Sequence, residues 1–370
     1  MRLCCFFNYA PLYRESIYKA IDNLFDAQFY FGKEVEYQKK SGIKKLNYHI
    51  FKKAPKEFDN RLLFSKFLWR TKLVSLAFKN YNSYIITGDL SFSYIPFLII
   101  CKIFGKKVYG WGHGPKSTKG ISAPLYWWVL NNMTGFFAYG EKGRQRMIEL
   151  GYPKDKVHVI YNSLTPKIIN PVAYKSDIYK KFFKNTDPVL IFIGRLTPVK
   201  KLDKLIKLLS RLNDNNRPCN LIIVGNGPCR NGLERLVNDY HLTDKTWFYG
   251  DCYDETINGE LIYNSDICIS PGNVGLTALH ALQYGTPIIS NSDFETQMPE
   301  YEAIVPYSTG LLFEKDNYED CYAKTCEWLE FAKGRREEIR KNCYAMINSK
   351  WNSDNQIEIL KKFFLTSPNK

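Results

Sequence analysis

The segment Gly194-Arg195-Leu196-Thr197-Pro198-Val199-Lys200 places two cations five residues apart, directly after the apolar run 189–193. An arginine there offers a planar fork of donors to phosphate oxygens, and a lysine adds a compact point charge. A second segment, Pro271-Gly272-Asn273-Val274-Gly275-Leu276-Thr277, sets small residues where a strand-like run meets a helical pattern. The first N–H groups of a helix are open to anions, and the helix dipole adds attraction. The chemistry available to the two segments together is the grip of a phosphorylated group. Each also has a plainer reading, as ordinary surface cations and as a glycine turn kept for packing. Gly225-Asn226-Gly227-Pro228 reads as a plain strand-to-helix connection. Arg230 stands where the dinucleotide fingerprint needs its third glycine. In the first half, Trp111-Gly112-His113-Gly114 ends a strand-like run. Its glycines let a ligand come close to a histidine able to donate a hydrogen bond or move a proton near neutral pH. A purely structural histidine is the alternative.

These segments need a scaffold that brings strand ends together. Strand-like runs at 3–9, 27–31, 84–87, 107–111, 135–139 and 157–161 alternate with helical patterns at 11–25, 61–78 and 88–104. A second series, 189–193, 220–224, 246–249, 266–270 and 287–290, alternates with helical patterns at 201–212, 233–240, 276–284 and 318–350. Such alternation predicts an α/β chain with mostly parallel sheets covered on both faces. Ligands of such sheets bind beyond the carboxyl ends of the strands. At 370 residues the chain exceeds one ordinary core. The stretch around 164–187 lacks periodicity and contains Pro166 and Pro171. The expected division is a first domain at 1–168, a linker at 169–187, a second domain at 188–350 and a last amphipathic helix within 351–370.

Hydrophobic residues make up 45% of the chain and aromatic residues 15%, a globular composition. The net charge of +15 is one-sided: residues 1–170 hold 27 Lys+Arg against 11 Asp+Glu, a net of +16, and the rest is close to neutral. A basic half suits a polyanionic partner, such as an anionic membrane surface or a pyrophosphate-linked lipid, although a merely solvated surface would look the same. No nucleic-acid recognition motif is present, and no nucleic-acid partner is expected. The ten cysteines form no Cys-x-x-Cys pair and read as reduced thiols packed as small hydrophobes, without zinc. Met1-Arg2 leads directly into a strand-like run, without a leader-like segment. The apolar stretch 94–104 is short and contains Lys102, and 121–140 is broken by Pro124, Asn131 and Asn132. A cytoplasmic protein is expected, lying on the inner face of the membrane if it meets one.

In order and spacing, Gly194-Arg195-Leu-Thr-Pro-Val-Lys200, Gly225-Asn-Gly-Pro228 and Ser270-Pro-Gly-Asn-Val-Gly-Leu-Thr-Ala-Leu-His-Ala-Leu-Gln-Tyr-Gly-Thr-Pro287 resemble glycosyltransferase family four, over about residues 188–330. Pro11-Leu-Tyr-Arg14, Trp111-Gly-His-Gly114, Tyr139-Gly-Glu-Lys142 and Ile160-Tyr-Asn162 carry a looser likeness in the first half. The resemblance implies the GT-B fold, with two Rossmann-like domains facing a central cleft and a C-terminal helix crossing back to the first. It implies a retaining, metal-independent hexosyltransferase without cofactor, whose substrate is a nucleotide-diphosphate sugar. The acceptor would be a saccharide or a lipid-linked saccharide, as in the assembly of bacterial surface polysaccharides (capsule, lipopolysaccharide or exopolysaccharide). The aromatic run Tyr126-Trp127-Trp128 in the basic half fits a lipid-borne acceptor.

Residue by residue, the resemblance makes His113, Arg195 and Lys200 the catalytic set. It assigns donor binding to Gly194, Arg195, Lys200, Gly225, Gly272, Asn273, Val274, Gly275, Leu276 and His280, and acceptor contacts to Tyr13 and Arg14. One departure stands out. The family carries two glutamates with seven residues between them around this helix start, one for the donor sugar and one for the ribose. Here those positions are Gly272 and His280. His280 can still hydrogen-bond a ribose hydroxyl, and Asn273 can partly replace the sugar contact. The departure keeps two alternatives open: a degenerate relative that serves as a binding or scaffold subunit, and a nucleotide-sugar epimerase on the same fold.

Overall fold

The computed structural model describes residues 1–33, 44–63, 67–115, 123–165, 168 and 170–366. The chain divides into two compact units, Met1–Pro166 together with Asn352–Lys370, and Lys167–Trp351. Pro166 and residue 169, used above to mark the linker, and residues 367–370 of the C-terminal segment lie outside the described residues. Most of the expected linker packs with the second unit, through the 3-10 turns Pro171–Tyr174 and Ile178–Lys181. Ile178 and Phe183 are buried there, and Asn264 Nδ2 donates to the Tyr174 carbonyl at 2.9 Å.

The first unit is built on strands β1 (Arg2–Phe7), β2 (Asp26–Gly32) and β3 (Lys56–Phe58), a hairpin of β4 (Asn60–Leu63) and β5 (Phe67–Arg70), and strands β6 (Ser83–Thr87), β7 (Lys107–Gly112), β8 (Gly135–Ala138) and β9 (Val157–Val159). Seven of these form a parallel sheet in the order β3-β2-β1-β6-β7-β8-β9. Successive side chains of β1 enter opposite cores. Cys4 and Phe6 join one, Leu3, Cys5 and Phe7 the other, as in any strand covered on both faces. Burial pushes the Cys4 and Cys5 thiols up, so they pack as inert hydrophobes.

The helix expected at 61–78 is not there. The chain forms the β4–β5 hairpin, in register Arg61 to Trp69, and then a short helix at Leu73–Leu76. Leu62 and Leu63 are exposed whereas Leu73 and Leu76 are buried, so these apolar residues, which imitate a helical stripe, do not share one face. Among the described side chains of the hairpin Arg70 is buried, at 1% exposure, held by a partner far along the sequence.

The second unit carries β10 (Val189–Ile193), β11 (Asn220–Val224), β12 (Thr246–Gly250), β13 (Ile267–Ser270), β14 (Ile288–Asn291) and β15 (Gly310–Phe313). They form a parallel sheet in the order β12-β11-β10-β13-β14-β15. The order reverses between β10 and β13, and in the first unit between β1 and β6. At such a reversal the outgoing loops part in opposite directions and leave a crevice at the carboxyl ends. Those two places therefore frame the candidate sites.

The C-terminal helix Ser353–Lys361 belongs to the first unit. Buried Gln356 accepts from Ser163 Oγ at 2.7 Å and donates to the Tyr161 carbonyl at 3.0 Å. Beyond it, Phe363 and Phe364 meet the Tyr109 ring edge-on at 5.1 and 5.2 Å. Among the described residues no helix is long and apolar enough to cross a membrane.

Candidate functional site

In the second unit the loops leaving β10, β11 and β13 lie backbone against backbone. Gly194 N–H donates to the Val224 carbonyl at 3.0 Å, and Leu196 N–H to the Asn226 carbonyl at 2.9 Å. A Cβ on Gly225, whose φ is +129°, would lie 2.0 Å from the Gly194 carbonyl oxygen. No other residue fits there. The Gly225–Pro228 turn, read above as a plain connection, thus supports the Gly194–Arg195 corner.

The turn Pro198–Lys200 then docks on the loop after β13. Gly272 N–H donates to the Lys200 carbonyl at 3.1 Å, and Asn273 N–H to the Val199 carbonyl at 3.0 Å. A Cβ on Gly272 would sit 1.9 Å from the Val199 oxygen. This close approach gives a physical reason why no carboxylate side chain stands at position 272. Three buried residues brace the loop from behind. Gln297 accepts from Val274 N–H at 2.8 Å and donates to the Gly272 carbonyl at 3.0 Å. Asn291 donates to the Pro271 and Gly272 carbonyls, each at 2.9 Å, and Ser290 to the Ser270 carbonyl at 2.8 Å. A rigid loop has fixed N–H directions, and a fixed set of donors spends little on reorganisation when an anion arrives.

Lys200 reaches across this contact. Its Nζ donates to the Asn273 carbonyl at 2.6 Å and to the Val274 carbonyl at 3.2 Å. Burial pushes its pKa down to about 8. The nearby Glu300 and Cys268 oppose the shift, and the Arg195 charge adds to it. Arg195 is thus within electrostatic reach of Lys200, with its side chain toward solvent. The helix that follows is Thr277–Gln283, only two turns long, and Ala278 N–H donates to the Gly275 carbonyl at 3.0 Å. Thr277 Oγ1 ties its start to the Ile193 carbonyl at 2.8 Å. Local N–H direction matters more here than a long helix dipole.

One turn further along, His280 Nε2 lies 3.1 Å from Glu255 Oε2. The same carboxylate accepts from Tyr284 OH at 3.0 Å and from Asn258 Nδ2 at 3.1 Å. Burial acts to raise the Glu255 pKa, but His280, Asn258 and Tyr284 outweigh it and hold the group at about 2. Glu255 opens the helix Glu255–Asn264, which the sequence patterns did not suggest.

In the first unit, Tyr13, Arg14 and His113 line one cavity of about 580 Å³. Its walls come from the loops after β1, β6 and β7. Arg14 Nη2 hydrogen-bonds Tyr139 OH, and the His113 ring meets the Tyr139 ring edge-on at 5.0 Å. Tyr139 therefore joins Arg14 and His113. Asp89, not singled out in the sequence, also lines this cavity. It is gripped by the fork of buried Arg70 at 2.9 and 2.5 Å and by Tyr94 OH at 3.2 Å. Among the described residues no three His, Cys, Asp or Glu side chains gather as a metal-holding group.

The structure thus brings Gly194, Arg195, Lys200, Gly225, Gly272, Asn273, Val274, Gly275, Leu276 and His280 to the carboxyl end of the second sheet, and Tyr13, Arg14 and His113 to that of the first. Residues 175–346 match the family model described as glycosyl transferases group 1. An uncharacterized glycosyltransferase of Methanocaldococcus jannaschii is 28% identical over 147 residues, 38% of this chain and 37% of that protein. The GDP-mannose-dependent alpha-(1-6)-phosphatidylinositol dimannoside mannosyltransferase of Mycobacterium tuberculosis is 35% identical over 107 residues, 28% of this chain and 27% of its own. The chain thus spans well under half the length of these curated relatives. Anabaena HepE, solved in complex with UDP, superposes with a TM-score of 0.74 at 14% identity, covering 99% of this chain and all of the other. The lipopolysaccharide outer core galactosyltransferase WaaB superposes with a TM-score of 0.73 at 15% identity, with the same coverage. The chain has the GT-B fold, and its second unit carries the sequence pattern of the group 1 glycosyl transferases.

Proposed function

We propose that this chain is a retaining hexosyltransferase that moves a sugar from a nucleotide diphosphate to a saccharide or lipid-linked acceptor. The observation that carries this is the Lys200 ammonium, half-buried against the braced loop 272–275 at the strand-order reversal. Charge develops on the leaving diphosphate as the bond from sugar carbon to phosphate oxygen breaks. Lys200, the Arg195 fork and the loop N–H groups stabilise that charge without a metal or a cofactor. The acceptor hydroxyl forms the new bond on the face the diphosphate leaves and gives up its proton to a diphosphate oxygen. The first-unit cavity holds the acceptor through Tyr13 and Arg14, with His113 beside the reacting sugar, and aromatic walls such as Trp111 suit a saccharide. A nucleotide-sugar donor is in keeping with HepE, which has been solved with UDP and with UDP-glucose.

We also propose a place in surface-polysaccharide assembly, on the cytoplasmic face of the membrane, and the surface of the first unit is in keeping with it. Beside its net positive charge it exposes Phe78, Ile99, Ile103 and Phe104, with the Phe78 and Phe104 rings 5.9 Å apart and Lys79 and Lys102 next to them in the chain. Exposed apolar side chains flanked in the chain by lysines suit an anionic lipid surface.

Thermal-shift screening of nucleotide sugars tests the assignment, since a true donor stabilises the folded chain by mass action. With that donor, Arg195→Ala is expected to lower turnover about 100-fold or more with the fold intact; unchanged turnover would overturn the proposal. The absence of side-chain room at 272 favours a second reading, a non-catalytic binding subunit. Donor binding without transfer to any acceptor would support it.

A further inference from the structure

We infer that Glu255, oriented by His280, is the group that binds the ribose hydroxyls of the nucleotide. The inference rests on the nucleotide-sugar function proposed above. A ribose diol presents two O–H donors and needs acceptors placed one sugar's reach from the phosphates. The groups offered to the phosphates, Lys200, Arg195 and the loop N–H groups, are all donors, and the neutral Asn273 Oδ1 beside Gly275 is an acceptor without charge. A charged acceptor comes from elsewhere.

His280 N–H donates to the Leu276 carbonyl, so His280 lies one helical turn, about 5.4 Å, beyond the phosphate loop. Glu255 is joined to it at 3.1 Å and has a third of its side chain open to solvent. Three donors reach its two oxygens, whose lone pairs accept about four hydrogen bonds, so acceptor capacity remains. Its ionised form is held fast by those donors, which keeps it an acceptor across the physiological range.

A purely local role explains the residue less well. The start of the helix Glu255–Asn264 is already capped by its neighbour Asp254, which accepts from Thr256 N–H at 2.8 Å. Beyond its contact with Asn258 in its own helix, Glu255 reaches His280 and Tyr284 outside it. It also sits just past β12, whose end is tied to β11 by Gly225 N–H donating to the Gly250 carbonyl at 2.7 Å. A fixed carboxylate beside a phosphate loop, beyond neighbouring strand ends, is the arrangement by which dinucleotide-binding sheets hold ribose hydroxyls. Here the carboxylate opens the helix Glu255–Asn264 and is held by His280 on the helix that follows the phosphate loop. Glu255 makes the contact, and His280 is a positioning residue.

The test is calorimetric binding by the full chain of uridine, guanosine and adenosine diphosphates, and of the 2′,3′-dideoxy counterpart of whichever binds best. The wild-type chain is expected to prefer the ribonucleotide about tenfold to a hundredfold, the usual worth of hydrogen bonds to a charged acceptor. Glu255→Ala should remove that preference and leave dideoxynucleotide affinity unchanged, whereas Arg195→Ala should weaken both nucleotides alike. Glu255→Gln, which keeps shape and packing, covers the case in which the alanine variant does not fold, and should lose most of the preference. Equal loss of both nucleotides in the Glu255 variants, or an undiminished preference, overturns the inference alone. No binding of any nucleoside diphosphate to the wild-type chain removes the nucleotide-sugar function and this inference with it.

Discussion

The Lys200 ammonium donates to the main-chain carbonyl of Asn273 at 2.6 Å, and so a cation from the loop after β10 is solvated by the loop after β13. Carbonyls satisfy an ammonium without neutralising it, and burial leaves it with a pKa of about 8. An arriving diphosphate would supply the missing negative charge and raise that pKa again.

Nucleoside diphosphate affinity is accordingly expected to be level between about pH 7 and 7.5, above the terminal phosphate's own titration at about 6, and to fall above about 8, by no more than about tenfold per pH unit for one linked proton. Calorimetry in two buffers of different ionisation enthalpy would show proton uptake on binding near pH 8, absent in Lys200→Met. The stability effect has the opposite slope. Between about 8 and the ordinary lysine value of 10.5 the unfolded chain holds a proton that the folded chain lacks, so this group's contribution to stability rises with pH there. Unfolding of Lys200→Met should lack that rise.

Gly272→Ala should disturb the site without touching a charged group. The added methyl would meet the Val199 carbonyl at 1.9 Å, and the two loops can relieve that only by separating. Overpacking of this kind costs about 1–3 kcal/mol. Denaturant unfolding should show a loss in that range, with weaker nucleoside diphosphate binding as Lys200 parts from Asn273. A variant as stable as wild type with unchanged binding would show the contact to be loose.

Asp89→Ala leaves the guanidinium of Arg70 buried with its carboxylate partner gone. Breaking such a pair costs about 3 kcal/mol. Arg70→Met combined with Asp89→Asn should cost less than the two single changes summed, since residues in one contact couple by about 0.5–3 kcal/mol. A cost below about 0.5 kcal/mol for Asp89→Ala, of the size seen for surface pairs, would mean that water reaches Arg70.

The buried strands were the most legible part of the molecule, and for a simple reason. Val189–Ile193 and Asn220–Val224 are buried along their whole length, so their apolar runs end where the strands end. The hairpin at Asn60–Arg70 was misread because the deeply buried side chain among its described ones is a cation paired with Asp89, a contact that no local spacing reveals. The helix Glu255–Asn264 went unseen, and with it the acid beside His280. The cationic loops were legible because glycine, strand end and charge coincide in sequence. The Gln297, Asn291 and Ser290 brace was not, because amides and hydroxyls carry no periodic signal and act here over distances of up to 25 residues.

The helix at Ser353–Lys361 has a bearing on how the protein is made. Leu360 is fully buried in the first unit, and Gln356 satisfies polar groups at Tyr161 and Ser163. A ribosome must finish the whole of the second unit before it emits these residues. The N-terminal half therefore emerges with part of its interior still open to water, and its final closure falls to the last stretch of synthesis, when chaperones have had the longest access to it.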